Sequence, residues 1–244
     1  MINERTELLF NVLAKTGIYP NKGNLAFLLR RLFQGIELNN ARILDIGGGS
    51  GIISFYAACR GAKEVICLEP SSDGSSTGVN DKFLQIQSHM NFENVTLLDE
   101  SFQVFTTNEE SFDIIVLYNS INHLDEDACI HLQNSAIARN RYLELFHKMF
   151  TLCRNGSYLI IADCSNKNIF PHIGLRNPFM PSIEWHKHQE PETWIRILRK
   201  IGFVNPKISW STFNRLRLPG VYILGNKFMA YLLLSHFSLR MQKR

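Results

Sequence analysis

In the run Ile43-Leu44-Asp45-Ile46-Gly47-Gly48-Gly49-Ser50-Gly51 an apolar stretch meets an acid and then glycines, and a helix-compatible segment follows. Glycines so placed let the backbone turn tightly and bring its N–H groups and a helix N-terminus close to a ligand. Glu69 ends the next apolar run, 18 residues after Gly51. An acid there can accept hydrogen bonds from both ribose hydroxyls of an adenosine-containing ligand. Two phosphate-binding readings fail on spacing. The dinucleotide fingerprint G-x-G-x-x-G puts its third glycine on Ile52 or Ser54, according to the start chosen, and no P-loop Gly-Lys-Ser/Thr follows the glycines. The Tyr-x-x-x-Lys pair of short-chain dehydrogenases is also absent.

Three histidines stand where a base would be useful: His123, just beyond the run Phe112 to Tyr118, and His186 and His188 in Ile183-Glu184-Trp185-His186-Lys187-His188-Gln189. An imidazole titrates near neutral pH and can take a proton from an acceptor. The competing reading is a connecting loop whose imidazoles bond backbone groups. His186, His188, Asp163 and Glu184 are metal-type ligands, but His-x-His alone is a weak signal and no third ligand has diagnostic spacing, so no metal is expected. Tyr19, Phe170, Phe179 and Trp185 could line an apolar pocket. Five cysteines with no Cys-x-x-Cys pair read as reduced core residues.

The elements that must position these groups alternate. Two amphipathic helices are expected at Glu4 to Lys15 and Asn24 to Phe33, separated by the turn residues Gly17 to Asn21. Then short β-rich runs alternate with helical stretches: Arg42 to Ile46, Gly51 to Arg60, Glu64 to Glu69, Val79 to Met90, Val95 to Leu98, Phe112 to Tyr118, a long helix ending near Phe150, and Ser157 to Ala162. This is the rhythm of a parallel sheet covered on both faces, and a run such as Ile114-Ile115-Val116-Leu117 suits a doubly buried strand. Asp163 to Glu190 lacks periodicity and reads as an irregular, lid-like segment. Pro191 opens a helix that Gly202 ends. Two last strands are expected at Lys207 to Thr212 and Ala230 to Leu239.

The glycine turn resembles the first motif of the class I S-adenosylmethionine-dependent methyltransferases of small-molecule type, an acid, one apolar residue and then G-x-G-x-G, filled here by Asp45, Gly47, Gly49 and Gly51. The resemblance implies that Glu69 is the ribose-binding acid, that Asp99 contacts the adenine amino group and that Glu100 offers its backbone N–H to the ring. Phe112 to Leu124, with Asn119, is similar to the family's fourth motif, and the similarity covers roughly residues 42–163, then more loosely 191–203. It implies a Rossmann-like α/β fold with a seven-stranded, mostly parallel sheet, helices on both faces and an antiparallel C-terminal strand pair. Within one domain, 1–40 would form a helical cap, 41–163 the cofactor-binding core, 164–190 the lid and 191–244 a last helix and strands. S-adenosylmethionine is the implied cofactor and a small molecule the implied acceptor, methylated on oxygen with His123, His186 or His188 serving it. Asn119-Ser120 is not the Asn-Pro-Pro-Tyr or Asp-Pro-Pro-Tyr signature of adenine-amino or glutamine methylation, and no Pro-Cys supplies a cytosine nucleophile.

Composition sets the outer bounds. The 244 residues carry a net charge of +4 and 45% hydrophobic side chains, which excludes disordered, collagenous and coiled-coil classes. The charge is uneven: residues 1–192 sum to −6 and residues 193–244 to +10. A basic end allows a different reading, a non-catalytic protein of the same fold that binds a partner or RNA there. The RNP-type signature is missing, so nucleic acid is not expected. No secretory pattern and no apolar run near ~18 residues is visible, so a cytoplasmic protein without a membrane span is expected.

Overall fold

The computed structural model describes residues 2–71, 78–108 and 110–244. Helices α1 (Ile2–Lys15) and α2 (Lys22–Leu32) lead into β1 (Arg42–Ile46), α3 (Ile52–Cys59), β2 (Glu64–Leu68), α4 (Val79–Met90), β3 (Val95–Leu98) and β4 (Phe112–Tyr118). There follow α5 (Glu126–His131), α6 (Ala136–Leu152), β5 (Cys153–Cys164), α7 (Ile169–His172), α8 (Pro191–Ile201), β6 (Phe203–Trp210), α9 (Arg217–Leu224), α10 (Lys227–Leu232) and β7 (His236–Lys243). One sheet of seven strands runs in the order β3-β2-β1-β4-β5-β7-β6. Every pair from β3 to β5 is parallel, and β7 runs antiparallel to both β5 and β6. The expected mostly parallel sheet and antiparallel C-terminal pair are both present.

Alternation along the strands divides the core. Ile114 and Val116 face a layer made with α1, α2, α3 and α4, whereas Ile115 and Leu117 face one made with α5, α6 and α8. Both sets are buried completely or nearly so, which is why β4 reads as a continuous apolar run. All five cysteines are buried and free, four of them in these layers. Among the described residues no helix is long and apolar enough to cross a membrane.

β5 begins at Cys153 rather than Ser157, and three other departures from expectation have a local cause. The long helix before Phe150 is broken into a 3₁₀ turn at Asn122–Leu124, α5 and α6, because Asp125 and Ser135 each turn a side-chain oxygen onto a backbone N–H three residues on, from Ala128 and Ala138. β6 starts at Phe203 rather than Lys207, since Gly202 ends α8 at φ 116° and Phe203 is buried at once. The stretch expected as a strand from Ala230 is helical to Leu232, and β7 begins only at His236. Asn226 caps α10 by accepting from the Met229 N–H, and Ser235 then reverses the chain at φ 53°.

Candidate active site

The glycine turn joins the C-terminal end of β1 to α3. Gly47, Gly49 and Gly51 all have positive φ, at 66°, 57° and 76°, but their surroundings differ. A Cβ on Gly51 would lie 2.4 Å from the Phe83 ring, so this glycine makes room for packing between α3 and α4. A Cβ on Gly49 would meet nothing nearer than Val79 at 3.9 Å, so this backbone faces open space. The Gly49 N–H donates to Glu69 Oε2 at 2.9 Å. That bond fixes the acid from the end of β2 against the turn from the end of β1.

Asp45 is wholly buried beneath the turn. Ser54 Oγ donates to its Oδ2 at 2.7 Å, while among the described residues Oδ1 has no partner. Burial pushes its carboxyl up to about 6, against the Ser54 hydrogen bond, with the nearby Glu69 charge adding to the rise. A buried carboxylate oxygen left unpaired is costly unless a ligand supplies a donor.

Four cavities meet around Tyr118 and Asn119. The largest, about 420 Å³, lies over Gly47, Gly49, Glu69 and Glu100 and reaches Asn119 and His123. A second, about 240 Å³, sits over Asp45 and the turn beneath Tyr19 and Tyr118. Two more, of about 310 and 230 Å³, lie on the other side of Asn119, against the N-terminal helices and against residues 180–188. Asn119 itself lines three of the four and has φ 54°. Its N–H donates to the Ala162 carbonyl at 2.7 Å and its Oδ1 lies 3.0 Å from His236 Nε2. The site therefore sits at the C-terminal ends of the parallel strands, where an open α/β sheet leaves a crevice at the reversal of strand order.

The predicted histidines are separated by the fold. His123 is about half exposed and lies 3.5 Å from Glu126 at the rim. His186 is exposed on a 3₁₀ turn and lines none of these cavities. His188 is buried with Nδ1 3.1 Å from Oδ1 of the buried Asp163, and it lines the 230 Å³ cavity. Glu184 pairs with Lys187 instead. Two cofactor candidates line none of these cavities: Gly51, buried against Phe83 as described, and the exposed Asp99, whose carboxylate accepts from the N–H and hydroxyl of Ser71 at 2.6 Å each, which lowers its pKa.

His236 escapes sequence reasoning altogether. It comes to the site only because β7 returns antiparallel beside β5, opposite Cys164. With Nε2 toward Asn119 and Nδ1 3.2 Å from Ser211 Oγ, both ring nitrogens are engaged. Burial lowers its pKa, the Asp163 charge opposing and the neighbouring His188 reinforcing, so the ring is neutral at pH 7. No local motif signals such a residue.

The family profile described as a methyltransferase domain matches residues 18–207. No curated protein matches the sequence. Among solved structures, an S-adenosylmethionine-dependent methyltransferase from Mesorhizobium loti superposes with a TM-score of 0.59 at 15% identity, covering 88% of this chain and 96% of that one. One from Archaeoglobus fulgidus gives 0.58 at 17% identity, over 96% and 99%. A phosphoethanolamine N-methyltransferase from Haemonchus contortus, in complex with phosphomonomethylethanolamine and S-adenosylhomocysteine, gives 0.58 at 17%, over 90% of this chain and 52% of that one. With the family profile spanning most of the chain and the sheet order of the fold in place, the protein belongs to the methyltransferase-domain family, as a class I S-adenosylmethionine-dependent methyltransferase.

Proposed function

We propose that this methyltransferase methylates a small-molecule acceptor on oxygen, with His188 as the base. The residues present fit the cofactor: the orphaned Asp45 Oδ1 offers an acceptor to an ammonium group, and the open space at Gly49 would be closed by any side chain. Asp45, Gly47, Gly49, Glu69, Glu100 and Asn119 would hold it, with Gly51 making room for the turn against α4 and Asp99 tied to Ser71 beside the cleft. Bound there, S-adenosylmethionine supplies an electrophilic methyl group on a sulfonium. The protein's remaining task is to align the acceptor and take its proton.

The observation that carries the acceptor side is the buried His188–Asp163 pair on a cavity that shares Asn119 with the glycine cleft. Asp163 holds the proton on Nδ1, leaving the Nε2 lone pair for the acceptor, and among the described residues no hydrogen bond occupies Nε2. An acceptor hydroxyl would give its proton to Nε2 as its oxygen takes the methyl group. Asp163 compensates the charge that then appears on the imidazole. His236 acts as a positioning residue, fixing the Asn119 amide.

The basic C-terminal residues support a small acceptor over nucleic acid, because several are consumed internally. Arg240 donates to the Gln34 and Arg31 carbonyls, Lys243 to the Cys153 carbonyl, and Lys227 pairs with Glu192. The test is His188→Ala, assayed with a panel of phenols and amines. General-base loss of this kind lowers kcat by roughly 10²–10⁴ for hydroxyl acceptors, with S-adenosylhomocysteine affinity unchanged. Undiminished turnover on every hydroxyl acceptor would remove His188 from the chemistry.

A further inference from the structure

The 310 Å³ cavity meets the proposed cofactor cleft at Tyr118 and Asn119, and its further walls come from elements outside that cleft: Arg31 of α2, Thr212 just after β6, and His236 and Ser238 of β7, with Phe27 and Leu234 among its apolar parts. Its polarity is one-sided. Among the described residues no Asp or Glu lines it, and Arg31 is the one fully charged side chain. That guanidinium is half-buried, and its hydrogen bond to the Trp210 carbonyl is a long one, 3.4 Å from Nη2. Among the described residues no carboxylate pairs with it. Burial lowers its pKa and no acid offsets the effect. Arg240 stands close behind and adds charge of the same sign. Two hydroxyls on the same walls, Thr212 Oγ1 and Ser238 Oγ, are buried without a hydrogen-bond partner among the described residues, Thr212 being only 7% exposed.

A guanidinium withdrawn from water without a counter-ion costs free energy, and so does each buried hydroxyl that makes no hydrogen bond. One ligand chemistry relieves all three at once. A planar carboxylate matches the two-pronged donor face of a guanidinium and leaves lone pairs for neighbouring hydroxyls. Apolar walls of this volume suit a ring or short chain carrying it.

We propose that the acceptor is a small organic acid whose carboxylate is held by Arg31, with Thr212 and Ser238 donating to it and its apolar body filling the rest of the cavity. This rests on the reading above that the cavity beyond Asn119 is the acceptor's side. One guanidinium facing the cavity favours a single carboxylate over a phosphate dianion. Arg31 is thus a specificity residue, contributed by the helical cap rather than by the sheet.

The experiment is calorimetric titration of the full chain, with and without saturating S-adenosylhomocysteine. The probes are phenylacetate, 3-phenylpropionate and octanoate, the neutral amide of each, and phenyl phosphate. At least one acid should bind tenfold or more tightly than its amide. Arg31→Met should erase that preference and Arg31→Lys retain part of it, while S-adenosylhomocysteine affinity stays within twofold in both. Equal binding of every acid and its amide, or a preference surviving Arg31→Met, overturns the inference; phenyl phosphate outbinding all three acids overturns it in favour of a phosphate. S-adenosylhomocysteine binding without acid preference defeats this inference alone, and acid preference without S-adenosylhomocysteine binding defeats the methyl-transfer reading alone.

Discussion

Asp45 is the residue whose chemistry and position are hardest to reconcile without a ligand. Its carboxyl is raised to about 6 by burial, above the usual carboxylate range near ~3.9. In the free protein the folded state therefore binds more protons than the unfolded state across that window, and the stability this contributes is lost as pH rises through about 6. Cofactor binding should show the opposite trend, because an ammonium group prefers the ionised form. Affinity for S-adenosylhomocysteine should be flat above pH 7 and fall about tenfold by pH 5, a full unit below the titration. Asp45→Asn should remove the slope, and a flat profile in the unsubstituted protein would show that no cofactor ammonium meets this acid. Asp45 and Glu69 were legible in the sequence because one stands near the end of an apolar strand and the other just after the next, and the apolar runs mark both strands. The division of labour among the glycines was not: spacing treats Gly49 and Gly51 alike, while the Phe83 ring against one and open space at the other arise from α4, far along the chain.

At the scale of elements, the segment from 164 to 190 is less free than its composition implies. Asn177 is fully buried and donates through Nδ2 to the Leu233 carbonyl at 2.7 Å and to Asn168 Oδ1 at 3.2 Å, while its own Oδ1 accepts from the N–H groups of Phe179 and Met180. Asn168 in turn reaches Leu233 and Ser235. The segment is thus tied to the turn that starts β7, and Met180 lines both cavities beyond Asn119. Asn177→Ala removes the acceptor of the Phe179 and Met180 N–H groups and a donor to the Leu233 carbonyl, and should cost about 1–3 kcal/mol. Amide exchange should quicken first at Phe179 and Met180, and KM for the acceptor should rise with little change in cofactor affinity. Unaltered exchange at those amides would mean that the network does not hold the segment. None of this was legible, since an aperiodic run rich in Asn reads as loop whether or not its side chains find buried partners. The strand expected from Ala230 failed for a related reason. A short apolar run fits a helix or a strand equally, and the reversal at Ser235 settles it from outside the run.

For the whole molecule, what alternation and doubly apolar runs revealed was the layered parallel sheet, because each βα unit is local in sequence. The family resemblance implied an antiparallel C-terminal pair at the sheet edge, but the insertion of β7 between β5 and β6 is a non-local pairing that no local pattern signals. That insertion has consequences beyond topology, since it carries His236 and Ser238 to the acceptor side while α2 brings Arg31 from the other end of the chain. The cleft proposed for the cofactor is likewise assembled from the ends of β1, β2 and β4, with Tyr19 of the N-terminal turn beside them. A ligand seated there binds the folded chain only, so its free energy of binding adds to global stability. At about 100 times its dissociation constant S-adenosylhomocysteine contributes about 2.7 kcal/mol, which for a chain of this size raises Tm by roughly 5–10 °C. NAD should give no shift, because the third glycine of its fingerprint is missing and a buried acid beneath the turn repels a pyrophosphate. Equal shifts from both ligands would show that the turn selects for adenosine alone, and would separate recognition of the nucleoside at Glu69 from recognition of the methionine end at Asp45.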